Sequence, residues 1–326
     1  MAKYLLGIDV GGTKCAVTLG ILDERENIKI SAKEKFATFV GNPKKTIDTF
    51  FEVSKKILKK AKLQKSDISA IGISCGGPLD SKRGVVMSPP NLPGWNNIEI
   101  VKAFEKEFGV KTLLQNDANA CALAEWKFGA GRGLDNVVFM TFGTGLGAGL
   151  ILDGKLYSGT NDNAGEVGHV RLADFGGTGY GKCGSFEGFC SGSGIAQIGK
   201  MKAMEKLQMG QTVAFCKDLS SLNDINAKVI ADCADNGDAL AKEVYAISGH
   251  YLGIGLSMII DILNPQAVII GSIFTRSKKL LWSEAKKVID KEALPVSAKV
   301  CKVLPAALGE NIGDFAALSL AAYALK

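Results

Sequence analysis

The sequence predicts an α/β protein built as two related lobes with a cleft between them, and three observations carry that reading. Two stretches echo each other, "YLLGIDVGGTKCAVTLGILD" from Tyr4 and "NVVFMTFGTGLGAGLILDGKLY" from Asn136: an apolar strand, a Gly-Thr-rich turn, a second apolar strand. Long helix-like segments are interspersed with short apolar strand-like runs. A chain of 326 residues, 47% hydrophobic and 22% charged, is long enough for two domains and has the composition of a soluble globular protein.

The elements follow in order. Strand-like "YLLGID" opens the first hairpin, and "CAVTLGIL" after the turn favours a strand over a helix. Ile47, Phe50, Phe51, Ile57, Leu58 and Ala61 form a helical stripe, with the lysines of "KKILKKAKLQK" on its solvated face. The apolar "VKTLLQ" gives way to a helix at "NDANACALAEW". Asn and Asp suit that position, because their oxygens cap free N–H groups and the charge suits the helix dipole. After the second hairpin, "GLILDGKL" reads as strand, Asp-Gly turn, strand. The stretch from Asn226 to Leu263 is helix-like, "QAVIIG" is a strand, and "GDFAALSLAAYALK" is a closing helix.

The net charge of +6 comes from scattered lysines, and neither an aromatic-interleaved basic stripe nor zinc-finger spacing argues for nucleic acid. The eight cysteines lie mostly in apolar segments and the N-terminus shows no apolar signal segment, so reduced thiols in the cytoplasm are expected. The run "YLGIGLSMIIDILNPQAVIIG" is interrupted by Asp261 and Asn264-Pro265, so no membrane span is expected.

Two common nucleotide motifs fail. "DVGGTK" lacks the phosphate-loop spacing, and a strand rather than a helix follows it. "GTGLGA", residues 143–148, satisfies the permissive dinucleotide pattern, but a strand again stands where a pyrophosphate-binding helix is needed. One glycine turn is an ordinary hairpin. Two, each with a threonine and one headed by Asp9, could grip a polyphosphate from two sides, with Asp9 orienting Mg²⁺ through water.

These residues resemble the ROK family (repressors, open reading frames, kinases) of the actin-like sugar kinases, over essentially the whole chain. "GIDVGGTK" resembles its first phosphate motif, "FGTGLGAGLILDGKLYSG" its second, "PPNLPGW" and "QNDANACALAE" its sugar-side segments, and "AGEVGH" its substrate signature. The resemblance implies an actin-like, ribonuclease H-like fold: a first lobe of residues 1–114 plus about 310–326, and a second of 115–309, each a mixed sheet flanked by helices. It implies an ATP-dependent hexose kinase acting at the primary 6-hydroxyl, with glucose first and N-acetylmannosamine, N-acetylglucosamine, fructose or allose as alternatives. Asp117 is implied as the base that accepts the sugar proton. Asn116, Gly77, Asn91, Glu166, His169 and Glu187 are implied in sugar binding; Asp9, Gly11, Gly12, Thr13, Lys14, Gly143, Thr144, Gly145 and Gly271 in nucleotide binding. A cytoplasmic homodimer is the implied assembly. The family's repressors carry a DNA-reading segment before this core, whereas strand-like sequence begins here at Tyr4, so a kinase is expected.

The sequence departs from the family pattern twice. The family's zinc cysteines correspond to Thr178, Tyr180 and Ser185, so no zinc is expected, and the loop carrying His169 and Glu187 is expected to be held by Phe175, Tyr180, Phe186 and Phe189. In "IIGSIF", Ser272 and Ile273 replace a glycine run beside the nucleotide.

Overall fold

The computed structural model describes residues 2–325. Its two five-stranded sheets share one plan. The first comprises β1 (Lys3–Val10), β2 (Lys14–Leu22), β3 (Ile28–Ala37), β4 (Ile68–Cys75) and β5 (Thr112–Asn116) in the order β3-β2-β1-β4-β5. The second comprises β6 (Val137–Phe142), β7 (Leu146–Leu152), β8 (Lys155–Tyr157), β9 (Ala267–Ile270) and β10 (Lys302–Pro305) in the order β8-β7-β6-β9-β10. In each, an antiparallel meander is extended by two parallel strands that reach their places through helical crossovers. The echoing sequences are the first hairpin of each sheet, β1–β2 and β6–β7.

Chain contacts divide the molecule into Met1–Gly133 with Gly149–Ala164 and Ala307–Lys326, and Leu134–Ala148 with Gly165–Ala306. The first break therefore falls beyond the one expected at Leu114. The reason is pairing: β5 is hydrogen-bonded in parallel to β4 and carries the following helix with it.

Strand alternation places the first sheet's side chains on two faces. Leu6, Ile8 and Val10 face α1 (Pro43–Ala61) and α2 (Ile100–Phe108), where Phe50, Phe104 and Phe108 fill the core. Phe36 and Phe50 meet edge to face at 4.9 Å, and Phe50 and Phe104 at 6.1 Å. Leu5 and Ala70 face the opposite side, covered by Leu318 and Ala321 of the closing helix, Ile312–Tyr323. That helix lies so close that a Cβ at Gly72 would stand 2.0 Å from the Ala317 carbonyl oxygen, which only glycine avoids. Its first turn is pinned by Asp314, buried, which accepts from Thr18 Oγ1 at 3.2 Å and pairs with Lys33.

Helix α3 (Asp117–Phe128) is tied down by fully buried Glu125. Its carboxylate accepts from Ala130 N at 2.8 Å, Leu308 N at 2.8 Å and Ala307 N at 3.2 Å, joining the end of α3 to the segment that leads into the closing helix. Truncation removes three charge-assisted bonds at once, so Glu125→Ala is expected to cost about 2–4 kcal/mol. A thermal melt reads this as a loss of several degrees, and an unchanged midpoint would assign those donors other partners.

In the second unit the helix Ala239–Leu263 is long and apolar enough to cross a membrane by length and composition, which corrects the expectation that no segment reaches that length. Asp261 falls in its last turn and Asn264 only caps it, so neither interrupts it. It is a core helix: Val244, Tyr245, Leu252, Leu256 and Ile260 are buried. A Cβ at Gly249 would stand 2.5 Å from Leu281 O, and one at Gly253 would stand 2.7 Å from Ala285 O, both on the helix Ile273–Glu292.

Candidate active site

The carboxyl ends of three neighbouring parallel strands line up at one edge of the first sheet. Asp9 of β1 is in register with Ser74 of β4, and Ser74 with Gln115 of β5; one residue on, Val10, Cys75 and Asn116 align. In open α/β sheets this edge is where ligands bind. Asp117 follows Asn116 directly as the first residue of α3.

Asn116 is the helix cap. Its Oδ1 accepts from Asn119 N at 2.7 Å, which fixes the amide so that Nδ2 points away, toward Asp162 O at 3.5 Å. The acceptor is thus occupied by the cap, which leaves Nδ2 as the donor side of the amide. With capping assigned to Asn116, Asp117 has its carboxylate open to solvent, although protein atoms crowd it. That crowding by protein atoms pushes its pKa above the ordinary aspartate value, against the pull of Ala118 N–H at 2.8 Å. Asp9 is pushed up to about 6, first by burial, then by the negative charges of Asp117 and Asp314, with Lys33 and Lys35 opposing. The charge of Asp117 raises the cost of ionising Asp9, and a hydrated divalent cation would relieve such a crowding of carboxylates.

The glycine turn of β1–β2 borders these acids. Thr38, just beyond β3, holds it: its hydroxyl donates to Gly11 O at 2.6 Å and its N–H to Thr13 O at 3.0 Å. Thr13 and Lys14 project into solvent. A Cβ at Gly12 would stand 2.4 Å from Asn91 O, so the glycine lets the "PPNLPGW" segment close over the turn. Asn91 also lies against Gly76, beside Gly77. The first unit therefore gathers Asp9, Gly11, Gly12, Asn91, Gly77, Asn116 and Asp117 in one region.

The second unit holds the predicted residues Gly143, Thr144, Gly145, Glu166, His169, Glu187 and Gly271. Gly143 N donates to Gly145 O at 3.1 Å, closing the β6–β7 turn, and Gly143 O accepts from Gly192 N at 2.7 Å. Gly192 opens α4 (Gly192–Gln208), and Ser193 Oγ donates to Thr144 O at 2.5 Å, so a helix N-terminus abuts the turn, an arrangement suited to anions. Sequence reasoning did not assign this helix, although "SGSG" is a legible start signal. Gly271 N is bonded to Met140 O at 3.0 Å, and a Cβ at Gly143 would lie 3.7 Å from Ser272 Oγ. Ser272 holds φ +56, a left-handed conformation that a glycine would adopt without strain.

Glu187 reaches this turn as well: its Oε2 accepts from Leu146 N at 2.9 Å. Glu166 and His169 are exposed on the short helical turn Val167–His169 and its cap, with the Tyr180 ring edge-on to His169 at 6.2 Å.

The loop is held differently from expectation. Phe186 and Phe189 are buried, but Phe175 and Tyr180 are 79% and 80% exposed and pack little. Polar contacts take over. Gln197 brackets Thr178 with two bonds of 2.9 Å, Arg171 Nη1 donates to Cys183 O at 2.6 Å, and Lys182 Nζ donates to His169 O at 2.7 Å. Ser185 caps the turn Phe186–Phe189, accepting from Gly188 N at 3.1 Å. Among the described residues no group of three or more His, Cys, Asp or Glu side chains is placed to hold a metal ion.

Two sheets of one order, each opening with a hairpin at a glycine turn, define the actin-like fold of the sugar kinases. The chain belongs to the ROK family, whose sequence profile matches residues 5–323. A glucokinase of Thermotoga maritima is 30% identical over 317 residues, covering 97% of this chain and 96% of the relative. The xylose repressor of Bacillus subtilis is 28% identical over 310 residues, 95% of this chain but 74% of the repressor. Among solved structures, a ROK glucokinase of Streptomyces griseus in complex with glucose and AMPPNP superposes with a TM-score of 0.74 at 29% identity, covering 98% of this chain and 99% of that one.

Proposed function

We propose that the protein is a sugar phosphotransferase that moves the γ-phosphate of ATP to a hexose hydroxyl, the 6-hydroxyl of glucose first, in the cytoplasm and as a homodimer. The observation that carries the reading is the placement of Asp117, an open carboxylate on a capped helix start, at the same sheet edge as Asp9 and the first glycine turn. Asp117 accepts the proton of the attacking hydroxyl as its oxygen bonds to the γ-phosphorus, and the bond to the bridging oxygen breaks to release ADP. Asn116, with its acceptor taken by the cap, donates to a neighbouring sugar hydroxyl. Asn91 and Gly77 line the same sugar region, and Glu166, His169 and Glu187 supply further sugar contacts. The glycine turns, at Gly11 to Lys14 and Gly143 to Gly145, offer backbone N–H groups to the phosphates, and Gly271 lies on the adenosine side.

Asp9 would hold Mg²⁺ through water, and the bound ion supplies charge neutralisation on the polyphosphate. Zinc is no part of this reading, since polar bonds brace the loop in which Thr178, Tyr180 and Ser185 stand at the family's cysteine positions. Stoichiometric zinc by elemental analysis would overturn that.

A coupled ADP-release assay with MgATP across glucose, mannose, fructose, allose and the two N-acetylhexosamines tests the proposal. Turnover is expected on at least one hexose, with glucose giving the highest kcat/KM. A sugar that raises the melting temperature without any ADP release would point instead to a sugar-responsive regulator, as the repressor relatives suggest.

A further inference from the structure

Resting on the sugar-kinase reading, we propose that Asp162 is a positioning residue for the acceptor sugar, clamping the loop after β8 between the Ser81 turn and the Asn116–Asp117 helix start. Its carboxylate takes both donors of Ser81, the backbone N–H at 2.7 Å through Oδ2 and the hydroxyl at 2.7 Å through Oδ1. Its own carbonyl faces Asn116 Nδ2 at 3.5 Å. Three residues earlier the same loop turns at Gly159, and Ser158 Oγ accepts from Gln115 Nε2 at 3.0 Å. Gln115 Oε1 in turn accepts from Asn116 N at 3.1 Å and Asn119 Nδ2 at 3.0 Å. The loop is thereby fixed on one side to the residues that flank the proposed base and on the other to the turn that begins three residues after Pro78, beside Gly77.

The backbone geometry at Asp162 agrees with a role for its carboxylate. Asp162 holds φ +62, a left-handed conformation that glycine adopts freely and aspartate more often than most residues, though still at some cost. A chain needing only the turn would be better served by glycine. The strain persists because the carboxylate gains two bonds that glycine cannot make. What those bonds steady is the direction of the Asn116 side-chain amide, and with it the hydroxyl that Asn116 holds beside the attacking one.

The substitution Asp162→Gly tests this cleanly, because it keeps the left-handed turn and deletes only the carboxylate. The KM for the sugar is expected to rise about tenfold as the Asn116 side loses its brace, with kcat and the KM for MgATP within about twofold of wild type and a melting temperature lowered by no more than a few degrees, since relief of the left-handed strain offsets part of the two lost bonds. Asp162→Asn, retaining one acceptor oxygen, should fall between the two. Ser81→Ala should add nothing in the Asp162→Gly background, since its partner is already gone. A sugar KM in Asp162→Gly equal to wild type overturns the proposal, as does a uniform loss in kcat and both KM values, which is the pattern of general destabilisation. Wild-type protein inactive on every sugar overturns the kinase reading and this role with it; an active wild type with an indifferent Asp162→Gly overturns this role alone.

Discussion

Asp117→Ala is expected to lower kcat by about three orders of magnitude while the protein remains folded. The loss follows from the role: without the carboxylate, no group at that position accepts the hydroxyl proton as the bond to phosphorus forms. The fold should survive because Asn116, not Asp117, caps the helix. Removing a charge that is crowded by protein and repels Asp9 offsets the small favourable interaction lost at the helix N-terminus. The wild-type pH profile carries the same signature. Asp117 must be ionised to act and its pKa is raised, while Asp9 beside it stands at about 6, so kcat/KM should fall as pH drops through about 6 rather than near the ordinary aspartate value of 3.8. Because the two acids interact, that limb belongs to the pair. Near-normal turnover by Asp117→Ala, with circular dichroism unchanged, would remove the assignment of the base.

What could be read from the sequence was local. A strand-turn-strand signal lies within about twenty residues of chain, so its repetition revealed the duplicated hairpins and the related construction of the two halves. Asp117 was legible because the cap signal, the preceding apolar strand and the family-like context fall in one short run. The supporting contacts were not, because they join distant residues: Ser81 and Asp162 are 81 positions apart, Lys33 and Asp314 are 281 apart, and neither partner alone carries a signal. The loop around Tyr180 shows the limit of composition. Its aromatic residues suggested packing, yet Phe175 and Tyr180 face outward while Gln197, from a helix that the sequence did not connect to the loop, provides the brace. The long apolar helix illustrates the same point, since Asp261 interrupts hydropathy without interrupting a helix whose core face lies elsewhere.

Asp9→Asn should separate function from stability. Phosphotransfer is expected to fall by roughly two orders of magnitude or more, because an amide orients a hydrated cation far less well than a carboxylate in the place where polyphosphate charge must be neutralised. Stability should move the other way. The folded-state pKa of Asp9 lies at about 6, above the 3.8 of an unperturbed aspartate, so the folded protein binds the proton more tightly than the unfolded chain does. Such a group destabilises the fold while ionised at neutral pH, and the cost is relieved as pH falls from above 6 toward 3.8. The isosteric amide carries no charge at any pH. At pH 7.5 the variant should therefore be more stable than wild type by on the order of 2 kcal/mol, and the gap should close as pH is lowered toward about 4. Paired thermal melts across that range, without nucleotide, make the measurement. A variant less stable than wild type at neutral pH would mean that the ionised Asp9 is satisfied by the protein itself, leaving it little capacity to hold a cation.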